Sequence, residues 1–300
     1  MRLFAPLILP ALIAALLAGC ATAPVEPTAP VQPPATPAAK VLPRIGLALG
    51  GGAARGFAHV GVIQVLEEAG IRPNLVAGTS AGSLVAAIYA SGKNGAQLQQ
   101  VAETMEEAAI ADWSLQIFTR GALRGEALAR YVNSQVNSRL IENMPLPLGI
   151  VATDLNSGAD MLFQRGDTGT AVRASSSVPA VFQPVRISGR DYVDGGLVSP
   201  VPVRAARKMG AELVIAVDIS SPPEGSAASG TLDILLQTFT IMGKSINTFE
   251  LKDADVVVRP ALLGVSSADF SARKRSIEAG RQAMLQALPQ LKSAIAAKTR

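Results

Sequence analysis

Residues 75–90 read LVAGTSAGSLVAAIYA, which places an apolar strand directly before a serine and an apolar helix directly after it. Residues 78–82 fit the pattern G-x-S-x-G, in which a sharp turn between strand and helix presents the serine. Gly78 and Gly82 leave room for the chain to pass at such a turn, and the positive end of the helix dipole points at the Ser80 hydroxyl. The stretch therefore predicts an α/β fold and makes Ser80 a candidate nucleophile.

Apolar runs of strand length alternate with helix-like segments along the rest of the chain. The predicted strands cover residues 45–49, 75–77, 149–154, 160–164, 185–193 with a break at 188–189, 213–218 and 256–259. The predicted helices cover residues 53–69, 80–90, 95–109, 125–137, 231–250 and 273–297. Strands separated by helices predict an α/β sheet with helices on both faces.

A second glycine-rich segment, GGGAARG at residues 50–56, follows the first predicted strand. A glycine run at a helix N-terminus can expose backbone N–H groups, which suits an anion. A dinucleotide-binding fingerprint would need glycine where Ala53 or Arg55 stands, and a phosphate-binding P-loop would need Lys and Ser or Thr where Phe57 and Ala58 stand. Both nucleotide sites are therefore excluded. The segment can still form an oxyanion hole, which needs only oriented backbone donors, or a simple tight turn.

A candidate acid follows in the stretch RDYVDGG at residues 190–196, where Asp194 ends a strand and Gly195 and Gly196 come after it. Another loop can approach an aspartate on such a turn closely, because nothing bulky follows it. Three other carboxylates are rivals for the same role: Asp154, Asp191 and Asp218. Spacing alone favours Asp194 only modestly.

The chain has one histidine and one cysteine in 300 residues. Zinc sites made of Cys and His need three or four such ligands and an internal disulfide needs two cysteines, so counting excludes both. The α/β-hydrolase triad needs a histidine after the nucleophile, whereas His59 precedes Ser80. We expect His59 to be a partly buried helix residue, with a catalytic base as the alternative. Scattered basic residues and only 4% aromatic residues argue against nucleic-acid binding.

Residues 1–19 resemble a bacterial lipoprotein signal peptide. Arg2 precedes the apolar run 3–17, which is too short and too interrupted by proline for a comfortable membrane span. The sequence LAGC that ends at Cys20 resembles a lipobox, in which the cysteine becomes the lipidated first residue. An ordinary cleaved signal with an incidental cysteine is the alternative. By the same resemblance, Ala21 favours the periplasmic face of the outer membrane of a bacterial cell envelope.

Residues 20–43 contain seven of the 20 prolines of the chain and only two charged residues. Such a segment cannot bury a core, so we predict an extended tether. The folded domain is then expected to cover residues 44–300.

Three segments in chain order, 50–56, 78–82 and 194–196, resemble the motifs of the patatin-like phospholipase family. Residues 46–63 and 174–184 are particularly similar to its bacterial and neuropathy-target-esterase branch. The resemblance implies a three-layer fold in which helices flank a central, mostly parallel sheet.

The resemblance also implies a serine–aspartate dyad, with Ser80 as nucleophile and Asp194 as base. It implies an oxyanion hole formed by the backbone of Gly50, Gly51 and Gly52. The supporting motif residues are Arg55, Gly56, Gly78, Gly82, Gly195 and Gly196. Neither a metal nor a cofactor is implied. Ser199 departs from the family pattern, which often has asparagine there.

We therefore expect a membrane-tethered phospholipase A or lysophospholipase that works through an acyl-enzyme and takes a phospholipid or another acyl ester. The alternatives are an esterase, thioesterase or acyltransferase with the same dyad, or a non-catalytic lipid-binding lipoprotein. Burial under an acyl chain would raise the pKa of Asp194, as a general base requires. The apolar helix at residues 232–242 could pack in the core, line an acyl channel or touch a bilayer. The sequence makes no prediction of oligomeric state.

Overall fold

The computed structural model describes residues 40–106, 123–220, 230–266 and 268–300. The predicted signal peptide, Cys20 and residues 20–39 of the predicted tether lie outside the described residues, as do residues 107–109 of the helix predicted at 95–109. That helix ends at Thr104, because Met105 is already extended, so its end was predicted too late. Regular structure in the described part begins with a strand at Ile45.

Eight strands and eight α-helices form the described part of the chain. The strands are β1 (Ile45–Leu49), β2 (Leu75–Thr79), β3 (Leu148–Asp154), β4 (Asp160–Phe163), β5 (Val185–Ile187), β6 (Arg190–Asp194), β7 (Leu213–Val217) and β8 (Val256–Val258). The helices are α1 (Ala58–Glu68), α2 (Ala81–Ala90), α3 (Gly95–Thr104), α4 (Glu126–Gln135), α5 (Thr168–Ser175), α6 (Val203–Lys208), α7 (Thr231–Glu250) and α8 (Arg273–Lys298).

All eight strands belong to one sheet with the order β5-β6-β3-β2-β1-β7-β8, and β4 pairs with β3. The five consecutive strands β3-β2-β1-β7-β8 all run parallel to one another. The pairs β3–β4, β3–β6 and β5–β6 are antiparallel. The predicted central, mostly parallel sheet is therefore confirmed.

Successive residues of β3 bring the ends of β2 and β6 together. Val151 pairs with Thr79 at the end of β2, and the next residue, Ala152, pairs with Asp194 at the end of β6. Both strands lie along the same side of β3, because β4 occupies the other side over residues 150–153. This register places Ser80, which follows β2, beside Asp194.

Helices cover both faces of the sheet, since the central strands are buried on both sides. Leu47 and Leu49 of β1 join a large apolar cluster with residues of α1, α2 and α8. Ala48, which points to the other face, joins a smaller cluster with residues of α6. The predicted three-layer α/β architecture is confirmed.

Several predicted boundaries need correction. Residues 185–193 form two short antiparallel strands joined at the predicted break, and the first long helix is preceded by a separate 3₁₀ turn at Ala53–Phe57. Helices α5 and α6 have no counterpart in the prediction. Both are short, and α5 (TGTAVRAS) is rich in residues that form isolated helices poorly, so its packing stabilises it.

Candidate active site

Ser80 lies at the sharp turn between β2 and α2. Its backbone has φ 52° and ψ −125°, a conformation that a residue with a side chain adopts only at a cost of about 1–3 kcal/mol. A side chain at Gly82 would overlap the carbonyl oxygen of Leu49, and one at Gly78 would come within 2.5 Å of the Gly82 carbonyl oxygen. The two glycines thus allow the turn that the pattern predicts.

The Ser80 hydroxyl donates a 2.7 Å hydrogen bond to Oδ2 of Asp194. Oδ1 of Asp194 accepts a 2.7 Å bond from the Gly196 amide, which orients the carboxylate. Gly195 lies against the carbonyl oxygen of Val151, where a side chain would clash. The DGG turn therefore lets Asp194 lie against β3 and reach Ser80.

The electrostatic setting of Asp194 differs from that of its rivals. Each rival lies beside an arginine: Asp154 beside Arg190, Asp191 beside Arg186 and Asp218 beside Arg259. No basic side chain among the described residues forms an ion pair with Asp194, which is only 7% exposed. Burial raises its pKa to about 6, although the bonds from Ser80 and Gly196 act in the opposite direction. Of the four carboxylates, Asp194 alone combines contact with Ser80 and a basicity suited to proton transfer near neutral pH.

The predicted oxyanion donors need a partial correction. The Gly50 amide donates to the Val217 carbonyl at 3.0 Å, and the Gly51 amide donates to the Pro200 carbonyl at 2.9 Å. These two amides hold the loop in place, so they do not fit the role of free donors. For the Gly52 amide no such backbone acceptor is found among the described residues, so Gly52 stays a candidate donor.

Two further amides suit that role. Ala53 begins the 3₁₀ turn and Ala81 begins α2, so neither amide has an acceptor within its own helix. Ala53 has a φ of 49°, a left-handed conformation that is rare for alanine. The loop lies against the nucleophile, since a side chain at Gly51 would come within 3.1 Å of Ser80 Cβ.

Arg55, Gly56 and His59 support this loop. The Arg55 guanidinium donates a 3.2 Å hydrogen bond to the Gly52 carbonyl. Gly56 lets the 3₁₀ turn approach Ala81 closely, since a Cβ atom at position 56 would lie 2.9 Å from Ala81 Cβ. The buried His59 ring donates from Nε2 to the Gly50 carbonyl at 2.8 Å. Burial lowers the pKa of His59 to about 4. The expected helix histidine is fully rather than partly buried, and His59 is neutral near pH 7.

Two serines near the dyad make hydrogen bonds that the sequence patterns did not predict. Ser175 accepts a 2.9 Å bond from the Ser80 amide and donates to the Val151 carbonyl. Ser199 donates a 2.6 Å bond to the buried Glu250, while its carbonyl accepts a 2.8 Å bond from Thr79. Ser199, at the family's asparagine position, thus links α7 to the residue before the nucleophile. Ser175 belongs to the run of three serines at 175–177, inside the segment 174–184 that resembles the family, but neither signal indicates its contact with Ser80.

An apolar cavity of about 320 Å³ opens at Ser80. Its wall includes Phe57, Leu84, Ile88, Val101, Phe182 and Phe270. No residue of α7 lines it. Several apolar side chains of α7 are instead exposed, Ile234 and Ile241 at 58% and 54%. Within the described residues, the segment 232–242 therefore neither belongs to the apolar core nor lines this cavity, against both expectations.

The sequence model of one protein family, described as patatin-like phospholipase, matches residues 47–207. An uncharacterized NTE family protein of Mycobacterium tuberculosis is 34% identical over 203 residues, which cover 68% of this chain and 56% of that protein. Patatin-like phospholipase domain-containing protein 6 of Homo sapiens is 32% identical over 229 residues, which cover 74% of this chain and 16% of that protein. The match thus spans about half the length of the first relative and much less of the second.

One solved structure, VipD from Legionella pneumophila, aligns with a TM-score of 0.57. The alignment covers 82% of this chain and 67% of that chain at 16% sequence identity. This similarity shows a shared fold.

Proposed function

The chain belongs to the patatin-like phospholipase family, and we propose that it hydrolyses acyl esters of lipids with Ser80 as nucleophile and Asp194 as general base. One observation carries the proposal: the 2.7 Å hydrogen bond from the Ser80 hydroxyl to Asp194, a buried carboxylate that has no ion-pair partner in the described part of the chain. The bond lies at the mouth of an apolar cavity, where an acyl chain would be bound.

In the first half of the reaction, Ser80 Oγ attacks the ester carbonyl carbon while Asp194 accepts the hydroxyl proton. The carbonyl oxygen becomes an oxyanion, and in this proposal the amides of Gly52, Ala53 and Ala81 donate to it. When the tetrahedral intermediate collapses, the C–O bond to the alcohol breaks and protonated Asp194 returns its proton to the departing oxygen. The acyl group is then bonded to Ser80.

In the second half, a water molecule attacks the acyl-enzyme and Asp194 accepts a proton from it. When this second intermediate collapses, the bond between the acyl carbon and Ser80 Oγ breaks, protonated Asp194 returns its proton to Ser80 Oγ, and the fatty acid is released. One carboxylate therefore serves as base and acid in turn, and no histidine is required.

The electrostatics of the site favour these proton transfers. An exposed aspartate with a pKa of about 3.9 is a poor base near pH 7. Burial raises the pKa of Asp194 to about 6, which removes most of that disadvantage. The N-terminus of α2 also stabilises negative charge on Ser80 Oγ.

The cavity supports an aliphatic acyl chain as the group that is bound. Its wall is formed largely by aliphatic and phenyl side chains. Binding of a hydrocarbon chain against such a wall is favourable, because it removes apolar surface from water. We propose a phospholipid or lysophospholipid as substrate. Another ester or thioester, or transfer of the acyl group to an acceptor other than water, would use the same residues.

We also propose that the domain is tethered to the bacterial envelope through lipidated Cys20, which lies outside the described residues. Within the described part of the chain, no helix combines the length and hydropathy needed to cross a membrane. Metabolic labelling with palmitate tests the tether: label on the wild type and none on Cys20→Ser is expected. Equal labelling of both would refute lipidation at this cysteine.

The function is tested by incubating the wild type and Ser80→Ala with a mixture of bacterial lipids and identifying products by mass. Hydrolysis predicts free fatty acid and a deacylated lipid with the wild type alone. Transfer would instead give a new acylated acceptor that also requires Ser80. A non-catalytic lipid-binding protein would leave the lipids intact in both samples.

A further inference from the structure

The segment that ends α5, residues 175–177, contacts both members of the proposed dyad. The Ser175 hydroxyl accepts a 2.9 Å hydrogen bond from the Ser80 amide. The Ser177 carbonyl accepts a 2.9 Å hydrogen bond from the Asp194 amide. Ser80 and Asp194 are 114 residues apart in the chain, so tertiary contacts must set the distance between them. This one short segment holds the backbone on both sides of the bond between the nucleophile and the base.

The orientation of the Ser175 hydroxyl is fixed by its two hydrogen bonds. The side chain is fully buried, and its hydroxyl donates to the Val151 carbonyl at 2.5 Å. Because a hydroxyl has only one proton, Ser175 is an acceptor toward Ser80 and has no proton left for Asp194. Val151 pairs with Thr79, the residue before Ser80. Ser175 is therefore bound to the sheet at the point where β2 ends.

The strained turn at Ser80 depends on this acceptor. Its φ of 52° is rare for a residue with a side chain and persists only where surrounding contacts determine it. Within the described part of the chain, no backbone carbonyl accepts from the Ser80 amide, so the Ser175 hydroxyl supplies its acceptor. An amide that loses its acceptor in a partly buried position is destabilising. Removal of this hydroxyl therefore favours another backbone conformation, in which Ser80 Oγ moves away from Asp194.

We propose that Ser175 is a positioning residue, which holds the turn at Ser80 so that the nucleophile stays within hydrogen-bond distance of Asp194. The inference rests on the proposed acyl hydrolysis, in which these two side chains exchange a proton. Ser175 is not among the residues that line the acyl cavity. It therefore affects the rate of attack on the ester and not the binding of the acyl chain. A misplacement of about 1 Å can slow a reaction by about a hundredfold.

The rate at which the full chain reacts with a fluorophosphonate measures the nucleophile directly. Ser175→Ala removes only the hydroxyl, and we expect labelling of Ser80 to be slowed about tenfold or more. On a water-soluble ester, kcat should fall by a similar factor, while KM changes by less than about threefold. Ser175→Thr keeps a hydroxyl at this position, so its labelling rate should lie within about threefold of that of the wild type.

Thr168→Val is the matched control, because Thr168 lies at the other end of α5 and is also fully buried. Its hydroxyl donates a 2.6 Å hydrogen bond to the Arg139 carbonyl, so this variant also loses one hydrogen bond in the same helix. Thermal unfolding should show a lower Tm for both variants, whereas Thr168→Val should be labelled at the wild-type rate. Equal slowing in both variants would show that Ser175 acts only through the stability of α5, and would overturn the proposal.

Circular dichroism shows which variants fold. Ser175→Cys fills the same site with only a weak hydrogen-bonding group, so it takes the place of Ser175→Ala if alanine prevents folding.

Hydrogen exchange of the Ser80 amide, followed by NMR, separates this inference from the proposed function because it needs no catalysis. The amide should exchange about tenfold or more faster in Ser175→Ala than in the wild type and in Thr168→Val, since it has lost its acceptor. Unchanged exchange in Ser175→Ala, or labelling of this variant at the wild-type rate, would overturn the positioning role. Faster exchange in Ser175→Ala alone, with a wild type that neither hydrolyses esters nor is labelled, would support the hold of Ser175 on the turn and refute the hydrolase.

Discussion

The Ser80 hydroxyl donates its 2.7 Å hydrogen bond to Asp194, a carboxylate that burial, rather than a neighbouring charge, makes basic. The same bond favours the ionised carboxylate, but it offsets only part of the effect of burial. Asp194 is therefore held as a moderately strong base in contact with the hydroxyl that it deprotonates. The pH dependence of the activity and the free energy of unfolding should both depend on the raised pKa of Asp194.

The first prediction concerns the pH dependence of activity. Protonated Asp194 cannot accept the Ser80 proton, so kcat/KM should fall as pH decreases through about 6, the pKa of Asp194 in the free protein. Rates on a water-soluble ester between about pH 4.5 and 8 measure this, with a decrease approaching tenfold per pH unit on the acid side. Activity that stays constant down to pH 4.5 would contradict the assigned base.

The second prediction is that Asp194→Asn removes activity and stabilises the fold at neutral pH. The pKa of Asp194 is raised from 3.8 to about 6 on folding, so ionisation opposes folding above pH 6. Below pH 3.8 both states are protonated and this cost disappears. Asparagine can still accept from the Gly196 amide and never ionises, so the free energy of unfolding should rise by about 1–3 kcal/mol at pH 7.

Urea unfolding of the wild type and Asp194→Asn at pH 7 and near pH 4 measures this difference. The stabilisation should shrink as pH falls through the pKa of Asp194. A destabilised variant at pH 7 would show that ionised Asp194 is not costly to the folded state.

The third prediction concerns His59, which holds the Gly50 carbonyl and has a pKa lowered to about 4 by burial. His59→Ala leaves a cavity and an unpaired carbonyl, so the free energy of unfolding should fall by about 2–4 kcal/mol. The folded variant should keep the activity decrease near pH 6. Thermal unfolding and the pH–rate profile check this, and disappearance of that decrease would make His59 the base instead.

The fourth prediction concerns chain-length preference. Leu84 lines the apolar cavity and is partly exposed within the fold. Leu84→Trp should fill the cavity, lowering kcat/KM about tenfold or more for a palmitoyl ester and much less for a butyryl ester. Leu285→Trp, at a 43% exposed position on α8, is the control. Equal losses for both esters would mean that the acyl chain binds elsewhere.

The family, the α/β fold and the sheet with helices on both faces follow from the sequence. Local patterns were sufficient for the turn at Ser80, because both glycines that allow it lie within the same short segment, residues 78–82. Local patterns could not identify the acid of the dyad, because four aspartates end or lie in strand-like runs. Only the packing shows that three of them pair with arginines and that the fourth contacts Ser80.

The oxyanion loop shows why other features could not be predicted. Whether the Gly50 and Gly51 amides are free depends on Val217 and Pro200, which lie about 150 residues away in the chain. The position of α7 was ambiguous for a related reason: the helix is amphipathic, but Ile234, Ile241 and Phe249 on its apolar side are exposed, so periodicity does not identify the face that packs. Tertiary contacts decide both cases.

Site mapping with a fluorophosphonate tests the serine–aspartate dyad most directly. The wild type, Ser80→Ala, Asp194→Asn and His59→Ala are labelled at pH 7.5, and the modified peptide is identified by mass spectrometry. The dyad predicts label on Ser80 in the wild type and in folded His59→Ala, none in Ser80→Ala, and labelling slowed by about a hundredfold or more in Asp194→Asn, as expected for loss of a general base. Label on another residue, or a wild-type labelling rate in Asp194→Asn, would contradict it.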